Sequence, residues 1–409
     1  MAQNYSIQNG SVWNGEQFIK RDIYISNGFF VEEKPSKTDS VIQADHQYII
    51  PPFGDYHTHA FDGEYSKVMD STYLSKGIFF SQDLGNDPVG RRKNQFFLNK
   101  KETIDVRYAN GILTSNYGHP IEGYERMALG INWPKNQAQR DSVRESRLFE
   151  NRYYYLIDTL EEIETTLNQL ISTQPDVLKI VLWNSSEYEE SETYPVLNKG
   201  LHPMFLDRIK EISDAFNIPV VAHIDTEFDL TRAIESGIKN FAHAPLSAYG
   251  NNGAVSDDFP RLSTKTIEIL KSKNNVVINP TLYRTYTNLR YLPKERQLNE
   301  TELLLLRKFH KKLLVDLKEG GVKIVAGADM WGINAVDEIY YYADLQVFTN
   351  KELLTILIET SREIFPKRKI GTIKNGHEAN LLILSANPIE NIKNLNTIEL
   401  KFKNGIILQ

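Results

Sequence analysis

From about residue 51 to residue 368 the chain alternates short apolar runs with stretches of helical period. Eight runs, YIIPPFGD, GIFFSQD, GILTSN, DVLKIVLW, IPVVAHI, NFAHA, NVVINP and KIVAGAD, have the length and composition of buried strands. Amphipathic helices lie between some of them, at 203–216 (PMFLDRIKEISDAF) and at 302–320 (ELLLLRKFHKKLLVDLKEG), the second closed by glycine. Eight strands alternating with helices predict an α/β fold, a (β/α)8 barrel of the TIM type. The span exceeds the roughly 250 residues of a plain barrel, and the stretches 83–110 and 117–150 hold the excess as long βα loops.

Both chain ends carry a different pattern. YSIQNGSVWNGEQF and DIYISNGFFVEE at the start, and ANLLILSANP and TIELKFKNGIIL at the finish, are short strands punctuated by Asn-Gly turns. Neither end has enough strands for a stable sheet alone, and both show alternating apolar faces. They are expected to pair, so that residues 1–50 and 369–409 form one small β-sandwich and residues 51–368 form the catalytic barrel.

Composition narrows the function. The 409 residues carry a formal charge of −6, and the 47 basic residues are scattered, which argues against nucleic acid as a partner. Two short basic runs, Arg91-Arg92-Lys93 and Lys367-Arg368-Lys369, read as solvated loop charge. Absence of cysteine excludes disulfides, a thiol nucleophile and thiolate ligands, so any metal must be held by nitrogen and oxygen. No apolar run approaches the length of a membrane span, and MAQNYSIQNG lacks signal-peptide regions. A soluble chain is expected, cytoplasmic or exported after removal of a signal, and compatible with a homo-oligomer.

Ionisable residues recur where the apolar runs end. His57 and His59 follow the first run, Lys179 interrupts the fourth, His223 and His243 end the fifth and sixth, and Asp329 ends the eighth. C-terminal strand ends are where parallel barrels place chemistry. Side chains alternate along a strand, so His57 and His59 project to one side as a nitrogen clamp. Four histidines and an aspartate converging on one axis point to a joint metal site. A lysine within a buried strand suffers desolvation that lowers its pKa and exposes a neutral amine. Such an amine can react with carbon dioxide to give a carbamate, whose two oxygens suit the bridging of two cations; by position alone a lysine reaching the barrel rim with its charge in water is the equal alternative.

GDYHTHAFDG, GIFFSQDLG, DVLKIVLW, VVAHI, FAHAPL, GVKIVAGADMWG and IGTIKNGHEANLLILSANPIENI occur in the order of the motifs of the amidohydrolase superfamily, and nearly the whole chain resembles its imidazolonepropionase-like and prolidase-like branch. The resemblance implies two divalent ions, zinc above all, with His57, His59 and Asp329 on the more buried one and His223 and His243 on the other. Carboxylated Lys179 would bridge them, with carbon dioxide as the source of the carbamate. It further implies that a hydroxide shared by the ions attacks an amide or ester carbonyl, with Asp329 as proton shuttle. His119 matches a position where relatives often carry histidine and would hydrogen-bond the carbonyl or oxyanion. Tyr283 and Arg284, just after the seventh run, are expected to clamp a substrate carboxylate.

The substrate implied is a small molecule with an amide bond, such as a dipeptide, an N-acyl amino acid or a cyclic imide. Asp225 stands where some dipeptidase-like relatives carry tyrosine, which weakens a dipeptidase reading. A mononuclear deaminase or imidazolonepropionase is the alternative. Deaminases of this superfamily place glutamate three residues after the fifth-strand histidine, but that position is Thr226, with Glu227 one step later. An inactive scaffold of the same fold is the remaining alternative, although none of the ligand positions is missing.

Overall fold

A computed structural model describes residues 3–190, 200–245, 261–290 and 297–408; Leu246, which closes the run FAHAPL, lies outside them. Parallel strands fall into two sheets. One orders Asp105–Tyr108, Ile78–Asp83 and Phe53–Thr58. The other runs Tyr154–Leu156, Ile112–Thr114, Leu178–Val181, Val220–His223, Asn240–Ala242, Val277–Asn279 and Lys323–Ile324.

The sheets meet at two places. Residues 105–114 pass from the first sheet to the second through Asn110 and Gly111, both with left-handed backbone, at φ 59° and 122°. At the other margin the Tyr56 N–H donates to the Ala326 carbonyl (2.9 Å), and the Asp329 N–H to the His57 carbonyl (2.8 Å). These bonds tie the first expected strand to the segment after the eighth. One large apolar core, including Phe53, Phe79, Ile180, Val221, Phe241 and Ile278, fills the space the parallel strands and their helices enclose.

Both chain ends form antiparallel-rich sheets of four and six strands. In the six-stranded sheet, Leu381–Leu384 from the C-terminal end pairs with Tyr48–Ile50 from the N-terminal end, Leu382 opposite Ile50. A second apolar core, with Tyr5, Ile7, Ile25, Ile49, Leu381 and Phe402, is shared by both ends. A buried ion cluster joins the last strands to the parallel sheets. The fully buried Lys403 donates to Asp105 (2.9 Å) and to the Lys100 carbonyl (2.8 Å), while Arg368 bridges Asp105 (2.7 Å) and Glu378. Each charge is paired, which is the condition for burying it.

Three differences from the sequence pattern have local causes. YIIPPFGD splits at Pro51-Pro52, because proline has no N–H for a ladder: Tyr48–Ile50 joins the end sheets and Phe53–Thr58 the parallel ones. The stretch 83–110 holds the helix Pro88–Asn94, opened by the Asp87 side chain accepting from Val89, and the strand Asp105–Tyr108. The stretch 117–150 holds the helices Ile121–Leu129 and Gln137–Arg144. It is fastened by buried Glu125, which accepts the N–H groups of Leu148 and Phe149 (2.8 Å each) and the Tyr154 hydroxyl (2.7 Å). These elements are too short to establish a period in the sequence.

Helix Asn350–Ile364 packs against the strand that leads to His57, and Gly54 permits their close approach. A Cβ at Gly54 would lie 2.6 Å from the Ser361 backbone nitrogen and 2.8 Å from its Cα. Gly54→Ala is therefore expected to cost about 1–3 kcal/mol of stability by overpacking. A urea denaturation midpoint equal to that of the parent would contradict this.

Candidate metal centre

A cavity of about 740 Å³ opens at the C-terminal ends of the parallel strands, and His57, His59, His119, Lys179, His223, His243, Arg284 and Asp329 all line it. Residues more than 270 positions apart in sequence are thus brought together by strand topology alone. Tyr283 is the exception among the expected site residues. It is not part of the cavity wall; its ring lies 5.7 Å from that of Tyr341. Adjacent residues on the helix Leu282–Arg290 point about 100° apart, so Arg284 can face the cavity while Tyr283 packs beneath it.

Asp329 is the hub. Its Oδ1 lies 2.8 Å from His59 Nε2 and 3.3 Å from His57 Nε2. Its Oδ2 lies 3.1 Å from Arg284 Nη1 and 3.5 Å from His243 Nε2. The ring centroids of His57 lie 5.1 Å from those of both His59 and His243. His223 is 4.4 Å from His243 and stacks on Trp183 at 5.4 Å, with His119 beside it at 4.9 Å. Among the described residues, His57, His243 and Asp329 offer donor atoms all within 4.8 Å of one another. His243 thus shares this grouping with His57 and Asp329, while His59, which the sequence reading joined to them, is the imidazole nearest to Asp329.

Backbone strain concentrates here. His243, Thr281 and Asp329 have positive φ, 75°, 52° and 49°, in the left-handed region that non-glycine residues avoid and that is an outlier for a β-branched threonine. Thr281 Oγ1 lies 2.6 Å from His243 Nδ1, which fixes the ring and leaves Nε2 facing Asp329. Sequence reasoning missed Thr281; its only signal is its place directly after Asn279-Pro280 at the end of the seventh run. Tyr124 and Tyr153, stacked at 4.9 Å on the cavity wall, were also missed, because nothing in the pattern links two segments read as loop or connection.

Electrostatics favours free lone pairs. Burial lowers the pKa values of His57, His223 and His243 well below the usual imidazole range, so all three are neutral near pH 7. Burial would raise the Asp329 carboxyl, but Arg284, His57 and His59 outweigh it and hold the group well below the usual carboxylate range. Burial, partly opposed by Asp329 and reinforced by Arg284, pulls the Lys179 amine down to about 7. Neither ring nitrogen of His57, nor His59 Nδ1, nor Lys179 Nζ has a hydrogen-bond partner, although each atom is buried. Orphaned buried polar atoms of this kind are costly. Neutral imidazoles, one ionised carboxylate and a desolvated amine are a donor set that fits divalent ions.

Expected alternatives can be placed as well. Thr226 caps the helix Glu227–Glu235, and Glu227 accepts from the Ser263 N–H at 2.5 Å instead of lining the cavity.

No family model matches the chain, and no curated protein matches it. Solved structures do. An amidohydrolase has a TM-score of 0.72 at 19% identity, with 99% of each chain covered. The A. niger ochratoxinase has a TM-score of 0.72 at 17% identity, covering 99% of this chain and 95% of that one. A Xaa-Pro dipeptidase with bound methionine has a TM-score of 0.73 at 14% identity, with both chains covered completely. The chain therefore has the fold of these three structures from end to end.

Thr281→Val removes the hydroxyl that orients His243 and keeps the shape. It is expected to weaken divalent-ion binding about 10- to 100-fold in a competitive chelator titration. Unchanged affinity would mean that His243 is oriented by packing alone.

Proposed function

We propose that the chain is a metal-dependent hydrolase of the amidohydrolase superfamily, built on a closed (β/α)8 barrel of residues 51–368 flanked by a sandwich of 1–50 and 369–409, and that it cleaves an amide bond of a small molecule bearing a carboxylate. The observation that carries this reading is the convergence of His57, His59, His223, His243 and Asp329 in one cavity with Lys179, whose buried amine has no hydrogen-bond partner. Solved structures of like fold named Xaa-Pro dipeptidase, ochratoxinase and molinate hydrolase support it.

His57, His59, His223, His243 and Asp329 would hold two ions, zinc being suited to such nitrogen and oxygen donors, with Lys179 as the bridge after its amine nitrogen bonds the carbon of carbon dioxide and sheds one proton. Bound divalent ions supply polarisation of the scissile carbonyl and acidification of water. Asp329 accepts a proton from the attacking water at a carboxylate oxygen and returns it to the departing amine nitrogen. His119, beside His223 on the wall, donates to the carbonyl oxygen as it gains charge. Arg284 takes the substrate carboxylate in its guanidinium fork.

The remaining wall favours an apolar acyl group over a free amino group. Trp183, Trp331, Tyr124, Tyr153 and Met127 line the cavity. Asp62, the acid near His59, already accepts the Asp87 N–H at 2.8 Å and a hydrogen bond from Tyr153. Glu187 and Asp225 are likewise engaged with other residues. N-acyl amino acids therefore fit better than dipeptides.

Metal content, metal loading and hydrolysis test the reading. Purified enzyme should hold near two metal equivalents and Lys179→Ala at most one, partly restored by added short carboxylic acids; unchanged stoichiometry would remove the bridge. Because the amine is neutral only above its pKa of about 7, metal loading of the apo chain in bicarbonate should rise as pH increases through that value, whereas an ordinary lysine would show its rise near 10. In a hydrolysis screen, Asp329→Asn should lose about 10²- to 10⁴-fold in kcat. Arg284→Met should lose roughly 30- to 700-fold in kcat/KM (about 2–4 kcal/mol) on N-acyl amino acids and little on the matching carboxamides. Equal losses on both would show that Arg284 does not read the carboxylate.

A further inference from the structure

Glu338 is a fully buried carboxylate with no part in the chemistry above. It lies in the first turn of the helix Ala335–Leu345, which follows the segment carrying Asp329. Its Oε1 accepts the N–H of Leu282 and its Oε2 the N–H of Tyr283, both at 2.7 Å. These are the first two residues of the helix Leu282–Arg290, and Arg284 is the third. The first N–H groups of a helix have no partner within it, and a helix N-terminus favours negative charge. A buried carboxylate set there is satisfied at both oxygens, which is the condition for burying it.

A side chain from another helix does this for a local reason. The residue before a helix usually caps it, and threonine is suited to that task. The Thr281 hydroxyl is committed elsewhere: it lies 2.6 Å from His243 Nδ1 and donates to the Pro280 carbonyl at 2.8 Å. Its φ of 52° is also not the extended backbone of an ordinary cap. The short stretch 279–284 thus serves the metal centre three times. The Asn279 carbonyl accepts the His243 N–H (2.8 Å), Thr281 orients the His243 ring, and Arg284 Nη1 reaches Asp329 Oδ2 at 3.1 Å. Glu338 supplies the cap that Thr281 does not.

We propose that Glu338 is a positioning residue for recognition of the substrate carboxylate: it caps the helix from outside and so holds the turn from which Arg284 reaches the cavity. The inference rests on the reading that Arg284 takes that carboxylate, and it names what sets the guanidinium in place. The same helical turn holds the other flank of Asp329. There the Ala335 N–H donates to Asp55 at 3.0 Å, and Asp55 accepts the His57 N–H at 3.2 Å. One turn therefore braces the Arg284 side through Glu338 and the His57 side through Asp55. Packing is the rival explanation, because the Tyr341 ring lies 5.7 Å from that of Tyr283 and 5.0 Å from that of Tyr286. Glu338→Gln separates the two. It keeps the shape and the packing, but it offers one acceptor oxygen and sets an NH2 group against the second N–H.

Calorimetric titration of the full chain at saturating zinc tests this with a probe that cannot be hydrolysed: N-benzoylleucine with a methylene in place of its amide N–H, as the acid and as the primary carboxamide. The parent should bind the acid about ten-fold or more tightly than the carboxamide. Glu338→Gln should lose about five-fold or more in affinity for the acid and keep the parent's affinity for the carboxamide. In an Arg284→Met background the same substitution should change acid binding by less than about two-fold, because the two side chains act through one contact. Glu338→Asp keeps the charge on an arm too short to span both N–H groups; it should show a smaller loss of the same kind, and it carries the test if the glutamine variant does not fold. Acid affinity unchanged in these variants, equal loss on acid and carboxamide, or a loss undiminished in Arg284→Met would each overturn the proposal. A parent without preference for the acid would overturn the reading of Arg284 and the positioning role with it, whereas a preference that survives in the Glu338 variants overturns the positioning role alone.

Discussion

Desolvation of a lysine among imidazoles is the constraint on which the site turns. Lys179 lies inside a strand whose residues are all buried, and no hydrogen-bond acceptor reaches its amine. Water cannot solvate the ammonium form, and Asp329, the carboxylate that would favour it, is already drawn on by His57, His59, His243 and Arg284. A charged lysine would thus be one cation too many for one anion. The neutral form removes that conflict and at the same time creates a nucleophile. The same burial leaves the histidine lone pairs available near neutral pH, so one physical cause prepares both kinds of donor.

The parts of the fold that follow from periodicity were legible in the sequence. Six of the eight apolar runs contain the strand expected of them without interruption; the first, YIIPPFGD, is divided by its prolines, and in the last, KIVAGAD, only Lys323–Ile324 is strand, the segment to Asp329 following without ladder pairing. The ionisable residues that line the cavity were legible for a related reason: such a side chain ending an apolar run violates the local pattern, and such violations collect at functional sites. What could not be read depends on contacts between distant segments. Thr281 matters because its hydroxyl meets His243, and no periodicity encodes that. Tyr283 and Arg284 are neighbours in sequence but diverge by a helical step, so a pair expected to act together is split between core and cavity. The helices within 83–110 and 117–150 are held by single buried groups, Asp87 and Glu125, whose partners are set by tertiary structure.

The two basic runs show the converse case. The sequence reads each as solvated loop charge, but Arg91, Arg92 and Lys93 lie in the last turn of the helix Pro88–Asn94 and Arg368 is held by Asp105 and Glu378; composition gives no reason to connect residue 91 with residue 368. Only the return of the chain from the last helix to the start of the strands sets them around common space. The buried Lys403–Asp105–Arg368–Glu378 cluster fastens that return, so the charges buried where the chain ends meet the parallel sheets are paired ones.

Strain and the junction of the parallel segments are carried by the same bonds. At the ends of the sixth and eighth expected strands, His243 and Asp329 leave the extended conformation through positive φ, a departure costing of order 1–3 kcal/mol each. Each keeps a backbone bond to the neighbouring strand while doing so. The His243 N–H donates to the Asn279 carbonyl and the Asp329 N–H to the His57 carbonyl, both at 2.8 Å. The left-handed turn swings the side chain into the cavity, and the backbone bond prevents the segment from relaxing out of it. In the case of Asp329 the acceptor is His57 itself, so the bond that joins the first and last parallel segments also sets the spacing of two metal-binding candidates. Loosening that junction would move both donors at once. The precision of the site is for this reason a property of how the sheets meet, and not of any one side chain.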